Sequence, residues 1–442
     1  MSYRRRKRSF QHEEAHADKD VDFKPPISHP EVPSSPPRMV VTAEELDEVV
    51  HEIRDAGLVA YDTEFIGEET YHPRICLIQL ATTDLVAIVD PFVLDDLTPI
   101  WEALADPEVE TIVHAGHVDL MHVRREIGVE PQCVIDTQVA AAFAGLPWPV
   151  GLARVIESYT GQRLGKGHTF TNWDARPLSA QQLRYAVDDV RYLPMLWTML
   201  KGDLEQRGTL DWVRNECTSR MSGGLEFDPD PQTRRASKGM HLKPRAQALL
   251  RALVLERDRI AHAEDRPHRV VLPDSSLLEL VRKRPSKRAD LIGIRGLPRP
   301  TGERWHQDLI DLIARADELP LPERKITGSS AESASDQVAI DALWTVICTR
   351  LLALGIAPGM VITRSALANW YLLAYLPDRT PLFEPSDWRF EALGEWLGAF
   401  LDGKRRLSVS WGDRGAVVDE QGTVHDGSGL HGNGSQPSDE PS

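Results

Sequence analysis

The apolar positions of residues 57–137 fall into short runs separated by polar turns. The first three runs, GLVAYDTEF, ICLIQLAT and LVAIVD, follow one another closely, as strands joined by short connections do. The later runs TIVHA and CVIDT alternate with segments of helical period, such as PIWEALA, VDLMHVRREI and DTQVAAAFAGL. From residue 151 onward the period is helical. The pattern predicts a mixed α/β sheet flanked by helices.

Polar segments divide the chain further. Residues 1–38 are polar and rich in Pro, and two polar stretches, SGGLEFDPDPQTRRASKGM and LPLPERKITGSSAESASD, interrupt the helical part. The predicted order is a disordered tail at 1–38, an α/β domain at 39–218, a linker at 219–240, a helical domain at 241–319, a linker at 320–336, a second helical domain at 337–417 and a disordered acidic tail at 418–442.

Composition predicts a cytoplasmic protein without membrane contact. The chain has 442 residues and no apolar run close to the roughly 20 that a membrane helix needs. Its basic start, MSYRRRKRSFQHEE, lacks the apolar segment of a secretory signal, and the four cysteines are scattered without a CxxC motif, as in reduced cytosolic proteins. The net charge of −16 argues mildly against a nucleic-acid partner, although the distribution of charge matters more than its sum.

Two carboxylates interrupt the first apolar run. Residues i and i + 2 of a strand point to one face, so Asp62 and Glu64 project together, while Tyr61, Thr63 and Phe65 face the other way. Burying like charges side by side is costly. One interpretation is a site for a hard cation such as Mg²⁺ or Mn²⁺, which prefer oxygen ligands. The other is a strand edge near solvent, with a basic partner for each acid.

A further acid follows the strand TIVHA. Asp119 lies in the first turn of the helix predicted there, a position that also suits the helix dipole. The neighbouring His114, His117 and His122 lack the i, i + 4 spacing of a helical zinc site, so we expect solvated or hydrogen-bonded histidines.

The helix predicted at SAQQLRYAVDDVRYL carries the last candidate acids. Tyr185 and Asp189 are four residues apart and share one face. Asp188 is three residues from Tyr185, so spacing alone does not choose between the two acids. A structural hydrogen bond between tyrosine and acid is the alternative to a catalytic pair.

Taken in order, the acid pair, the acid after a later strand and the Tyr-x-x-x-Asp helix resemble the tyrosine branch of the DEDD exonuclease superfamily. YDTEFIGEETYHPRICLIQLAT, HAGHVDL, VIDTQVAAAFAGLP and TNWDARPLSAQQLRYAVDDVRYLP resemble the ribonuclease D family in particular. The histidine branch places its histidine five residues before the last acid, where this chain has Arg184. The resemblance covers the first domain and implies an RNase H-like fold.

The resemblance also implies roles for the acids. The family's four metal-binding positions fall on Asp62, Glu64, Asp119 and Asp189. They would hold two divalent cations, Mg²⁺ or Mn²⁺, with Asp62 bridging both ions, and Tyr185 would orient the attacking water. The implied reaction releases nucleoside 5′-monophosphates stepwise from a 3′ end.

Three residues near the acids are considered for contact with the terminal nucleotide. Phe65 could stack on a base, although it faces away from Asp62 and core packing is the alternative. Lys166 is a second candidate for nucleic-acid binding, and Trp173 is expected in the core.

Residues 248–315 resemble the HRDC module through LERDRIAHAEDRP, VVLPDSSLLELVRKRP and ADLIGIRGLP. Within 282–299, seven basic residues accompany one acid, Asp290; they are Arg282, Lys283, Arg284, Lys287, Arg288, Arg295 and Arg299. This density predicts a surface for nucleic-acid phosphates, with a solvated charged face as the alternative. Residues 337–417 resemble the second C-terminal helical domain of ribonuclease D.

The sequence thus predicts an RNase H-like α/β exonuclease domain followed by two all-α domains. The function predicted from the resemblance is a monomeric 3′–5′ exoribonuclease acting on structured RNA ends such as tRNA precursors. One alternative is the same chemistry on DNA. Another is a catalytically inactive RNA-binding scaffold, which the complete set of acids disfavours.

Overall fold

The computed structural model describes residues 25, 27–164, 172–221, 227–240, 242–321, 333–412 and 415–422. The chain forms two compact units. The first comprises Met1–Ala144 and Val150–Arg324, and the second comprises Gly145–Pro149 and Lys325–Ser442. Within the described ranges, no helix is both long and apolar enough to cross a membrane.

A six-stranded mixed sheet lies at the centre of the first unit. Its strands are β1 (Arg38–Val40), β2 (Leu58–Ile66), β3 (Arg74–Ala81), β4 (Val86–Val89), β5 (Glu110–Val113) and β6 (Val134–Asp136), in the spatial order β1-β4-β3-β2-β5-β6. β2 pairs antiparallel with β3 and parallel with β5. The predicted mixed sheet is confirmed, and β1 is an addition to it.

Helices cover both faces of this sheet. They are α1 (Ala43–Ala56), α2 (Thr98–Ala105), α3 (His117–Ile127), α4 (Thr137–Phe143), α5 (Leu152–Thr160), α6 (Ala180–Arg191), α7 (Leu193–Arg207) and α8 (Leu210–Met221). Apolar residues of α1, α2 and α3 form one core cluster with Tyr61, Ile78 and Leu80 of the sheet. Helix α6 packs against β2, β3 and β4. Because alternate residues of β2 face opposite ways, the face towards α6 is the one that carries Asp62 and Glu64.

The described residues of the first unit that follow α8 are mainly helical. They form α9 (Pro229–Ser237), α10 (Pro244–Glu264), α11 (His268–Val271), α12 (Asp274–Lys283), α13 (Arg288–Ile292), α14 (Arg299–Arg304) and α15 (His306–Ala314). The prediction of a linker at 219–240 is wrong over Pro229–Ser237, which form α9. Ala236 of this helix is buried in the same core as α10 and α12. Asp228 caps this helix and Pro229 begins it, a combination that favours a helix start.

The second unit is mainly helical between residues 334 and 401, and strands follow. It contains α16 (Ala334–Ala353), α17 (Pro358–Val361), α18 (Arg364–Trp370), α19 (Leu376–Asp378), α20 (Glu395–Leu401) and π-helical segments at Tyr371–Tyr375 and Phe390–Gly394. An antiparallel hairpin follows, β7 (Arg405–Gly412) and β8 (Gly415–Gly422). The all-α prediction is therefore wrong at this end, because LSVSW alternates apolar and polar residues with the period of a strand.

The predicted N-terminal tail is also partly structured. Ile27 and Val32 lie within the Pro-rich stretch expected to be disordered, yet both are buried. Scattered apolar residues in a polar segment gave no period from which this packing could be inferred.

Candidate active site

Three carboxylates meet between the central strand and helix α6. Asp62 and Glu64 project from β2, and Asp189 projects from α6. Each of the three offers an oxygen that lies within 4.8 Å of the others. The strand period correctly placed the first two side chains together.

Helix α6 is fixed by its cap and by its apolar face. Ser179 accepts a hydrogen bond from the Gln182 backbone N–H, and the Gln182 side chain accepts one from the Ser179 backbone N–H. The buried face of α6 consists mainly of Leu183, Ala186, Val187 and Val190. This packing directs Tyr185 and Asp189 towards β2, where Tyr185 donates a hydrogen bond to Asp189.

Asp119 adjoins these three acids and is anchored separately. The Thr63 hydroxyl donates a hydrogen bond to Asp119 Oδ1, and the Tyr61 hydroxyl donates one to its backbone oxygen over 3.2 Å. Gly116, at the start of α3, lies close to the end of β5, and a Cβ there would lie only 2.6 Å from Val113 Cβ. The sequence analysis did not predict that Thr63 and Tyr61 bond to Asp119. The strand period did predict that both side chains lie on the face of β2 opposite to Asp62.

Burial and mutual repulsion raise the pKa values of the acids. The pKa of Asp62 lies well above its usual range because it is buried and faces Asp119, Asp189 and Glu64. Burial, with Asp189 and Asp119, raises the pKa of Glu64 to about 8. Burial raises the pKa of Asp189 to about 7 against the opposing hydrogen bond from Tyr185, and burial raises that of Asp119 against the bond from Thr63. No basic side chain contributes to these shifts, so repulsion among the acids is not offset by positive charge in the described part of the chain.

The donor set fits a hard divalent cation. In the part of the chain that the structure describes, none of Asp62, Glu64, Asp119 and Asp189 forms an ion pair with a basic residue. The strand-edge interpretation required such partners, and the described residues provide none. Carboxylate oxygens are the ligands that Mg²⁺ and Mn²⁺ prefer, and a cation would relieve the repulsion that raises these pKa values.

The two adjacent acids of α6 have different surroundings. Asp188 lies 3.8 Å from the guanidinium of Arg191, which is buried. Asp188 is thus a structural partner of Arg191, not the solvated residue that a surface helix position suggests. Tyr185 has a pKa raised by burial first and then by Asp189, Glu64 and Asp62, so its hydroxyl keeps its proton and acts as a hydrogen-bond donor.

Arg176 holds the segment that leads into α6. Its Nε and Nη2 donate to the two carboxylate oxygens of Asp90 over 2.6 and 2.9 Å, and Nη2 also donates to the backbone oxygen of Cys76. Trp173 is buried, as expected, with its ring 6.2 Å from that of Tyr185. No periodicity pointed to Arg176, because its partner lies 86 residues earlier in the chain.

The other residues considered near the acids have mixed outcomes. Phe65 is half-buried, and its ring lies 5.8 Å from that of His122. Lys166 lies outside the described residues. His114 is hydrogen-bonded to Thr137 and Val150, as predicted. His122 is buried, and within the described part of the chain neither of its ring nitrogens has a hydrogen-bond partner.

The basic residues of the helical part fall into two groups. Arg282 and Lys283 pair with Glu279, while Arg284 pairs with Asp317 and Arg299 with Glu303. Lys287, Arg288 and Arg295 are exposed and form no ion pair within the described ranges. We call these last three residues the unpaired basic group. The count of acids within 282–299 could not reveal Glu279 and Asp317, which lie outside that window.

Two family models match this chain. Residues 37–205 match the model described as 3′-5′ exonuclease, and residues 246–313 match the HRDC domain. The first match contains all four clustered acids and Tyr185. The second contains the unpaired basic group.

Full-length relatives extend the similarity over most of the chain. The ribonuclease D of Gluconacetobacter diazotrophicus is 34% identical over 384 residues, which cover 84% of this chain and 95% of the relative. That of Cronobacter turicensis is 31% identical, covering 82% and 99%. The crystal structure of Escherichia coli RNase D, described as an exoribonuclease involved in structured RNA processing, has a TM-score of 0.68 at 29% identity, covering 84% and 99%. The chain therefore belongs to the ribonuclease D family of 3′–5′ exoribonucleases.

Proposed function

We propose that this protein removes nucleotides one at a time from RNA 3′ ends, with Asp62, Glu64, Asp119 and Asp189 holding two divalent cations, Mg²⁺ or Mn²⁺. The observation that carries the proposal is the meeting of three acids within 4.8 Å without a basic partner among the described residues. At neutral pH these carboxyls keep protons in the absence of a cation, and a bound divalent cation would stabilise their ionised form.

Each side chain then has a definite task. Asp62 faces the other three acids and would hold the cations together with Glu64, Asp119 and Asp189. Thr63 donates a hydrogen bond to Asp119 and so orients its carboxylate. When bound, divalent cations activate water and stabilise charge on the scissile phosphate. Tyr185, protonated and bonded to Asp189, orients the attacking water by hydrogen bonding. The product is a nucleoside 5′-monophosphate.

The RNA is held by residues on both domains of the first unit. Phe65 follows Glu64 on β2, and its half-buried ring, which lies 5.8 Å from that of His122, is the candidate for stacking on the terminal base. Lys166 and the basic residues of the HRDC domain contact phosphates farther along the strand. By its relation to E. coli RNase D, we propose structured RNA ends such as tRNA precursors as substrates, acted on in the cytoplasm by a monomer.

A time course on RNA with a 3′ tail and on DNA of matched sequence tests this function. We expect Mg²⁺- or Mn²⁺-dependent release of 5′-mononucleotides from the RNA, stopped by EDTA. Equal turnover of the DNA would contradict the RNA assignment. Internal cleavage products would contradict the exonuclease assignment.

Removing the unpaired basic group is expected to weaken RNA binding. In a Lys287→Ala, Arg288→Ala, Arg295→Ala variant we expect the slope of log Kd against log salt to fall by about 2, since each phosphate contact on a single strand contributes about 0.7. Binding is measured by fluorescence anisotropy at several salt concentrations.

The matched control is Arg282→Ala, Lys283→Ala, Arg299→Ala, which also removes three positive charges. These side chains are already paired with Glu279 and Glu303, so we expect a smaller change in slope. Equal slopes for the two triple variants would show that net charge, and not the unpaired basic group, determines binding.

A further inference from the structure

The loop between the catalytic strand β2 and its neighbour β3 is bonded to the HRDC domain. The Tyr71 hydroxyl donates to Asp258 Oδ1 over 2.8 Å, and the Tyr71 backbone N–H donates to Asp265 Oδ1 over 3.2 Å. Glu68 in the same loop lies 3.7 Å from Arg269. Asp258 lies on α10, Asp265 directly follows α10, and Arg269 lies in α11. Each partner is about 200 residues from the loop in sequence.

The Tyr71 ring is partly buried against the helical domain. It packs against the core formed by α9–α15, edge-on to His262 at 5.1 Å and tilted against His268 at 5.4 Å. His268 Nε2 lies 2.7 Å from the Asp258 Oδ1 that accepts the tyrosine hydrogen bond. Phe227 stacks on His268 with ring centroids 5.2 Å apart. Tyr71 is therefore the anchor of the loop and not a loose surface contact.

The loop is also continuous with the acid cluster. It begins directly after Ile66, the end of the strand that carries Glu64 and Phe65, and the β2–β3 register shifts between those two residues. Phe65 contacts His122 of α3, the helix that also carries Asp119. The pairing at this end of β2 is short and irregular, so its position depends on what holds the loop.

We propose that Tyr71 is a positioning residue through which the HRDC domain fixes the end of the catalytic strand. The HRDC domain then has two roles, binding RNA through the unpaired basic group and holding Glu64 and Phe65 in place through Tyr71. The inference rests on the function proposed above. The positioning role differs from a role in RNA binding alone, because loss of Tyr71 also slows hydrolysis of substrates too short to reach the unpaired basic group.

Two Tyr71 variants and one matched control test this role in the full-length chain. Tyr71→Phe removes only the hydroxyl, and Tyr71→Ala also removes the ring. Tyr159→Phe is the control, because Tyr159 donates a similar hydrogen bond to Asp203 over 3.2 Å, between α5 and α7. Hydrolysis of an RNA dinucleotide and of a long RNA is measured with Mg²⁺, together with hydrogen exchange of the β2 amides.

We expect kcat to fall about 10-fold or more in Tyr71→Ala on both substrates, since small displacements of reacting groups are costly. The fall is smaller in Tyr71→Phe and absent in Tyr159→Phe, and it is of similar size on the dinucleotide, which does not reach the unpaired basic group. The amides of residues 64–66 exchange faster in Tyr71→Ala only.

The outcomes separate this inference from the proposed function. A wild-type protein that hydrolyses the dinucleotide, beside a Tyr71→Ala variant with unchanged kcat and unchanged exchange at 64–66, would overturn the positioning role alone. A wild-type protein that hydrolyses neither RNA would overturn the proposed function. The exchange data test the positioning role even then, because they do not depend on activity.

Discussion

Replacing Asp62 by Asn is expected to reduce hydrolysis by about 10³-fold or more while raising the thermal stability of the metal-free protein. Asp62 faces three other acids and its pKa is raised by burial and by all three. The amide keeps the size of the side chain but removes the charge that binds cations and that repels its neighbours. Initial rates on RNA with a 3′ tail and melting curves in EDTA measure the two effects.

Asp188→Asn is the matched control, and it is expected to lower the stability of the protein while leaving hydrolysis nearly unchanged. Asp188 is the acid next to Asp189, but it pairs with the buried Arg191. Its loss removes a 3.8 Å ion pair from a guanidinium that also interacts with Tyr192, so we expect stability to fall by about 1 kcal/mol, while hydrolysis stays within a few-fold of wild type. Activity within tenfold of wild type in Asp62→Asn would contradict the assignment of Asp62 to the metal site.

The metal-free protein is expected to become less stable as the pH rises from about 4 to 8. The pKa of Glu64 is raised to about 8 and that of Asp189 to about 7. In the unfolded chain both groups lose their protons near pH 4, so over this window the folded state holds protons that the unfolded state has released. Stability from these groups is thus complete below their unfolded pKa and is lost as the pH rises through the folded pKa.

The size of this effect follows from the number of protons retained. One extra proton in the folded state gives a slope of about 1.4 kcal/mol per pH unit, or a fall in Tm of about 1.5 °C per unit for a chain of this length. We expect Mg²⁺ or Mn²⁺ to abolish most of the slope, and Glu64→Gln to reduce it without metal. Melting curves from pH 4 to 8 in EDTA measure it; a Tm that rises across pH 5–8 in EDTA would contradict the account.

The fold and the acid cluster were largely predictable, because each depends on local period. Alternation along β2 placed Asp62 and Glu64 together, and the four-residue spacing on α6 placed Tyr185 beside Asp189. The choice of Asp189 over Asp188 came from family resemblance, since their spacings from Tyr185 do not decide it. The structure adds the reason, which is the pairing of Asp188 with Arg191.

What was missed depends on contacts between distant segments. Arg176 binds Asp90, Tyr71 binds Asp258, and Arg284 pairs with Asp317, none of which leaves a periodic trace in the sequence. The hairpin β7–β8 was missed for a different reason. The alternating segment of β7 directly follows the helix α20, and the helical domain predicted at 337–417 included both.

A crystal of the protein soaked in Mn²⁺ would test the central claim most directly. We predict two anomalous difference peaks, both bound by Asp62, with Glu64 and Asp189 on one and Asp119 near the other. Neither peak should appear in a crystal of Asp62→Asn treated in the same way. A single peak, or ions bound away from these acids, would contradict a two-cation site.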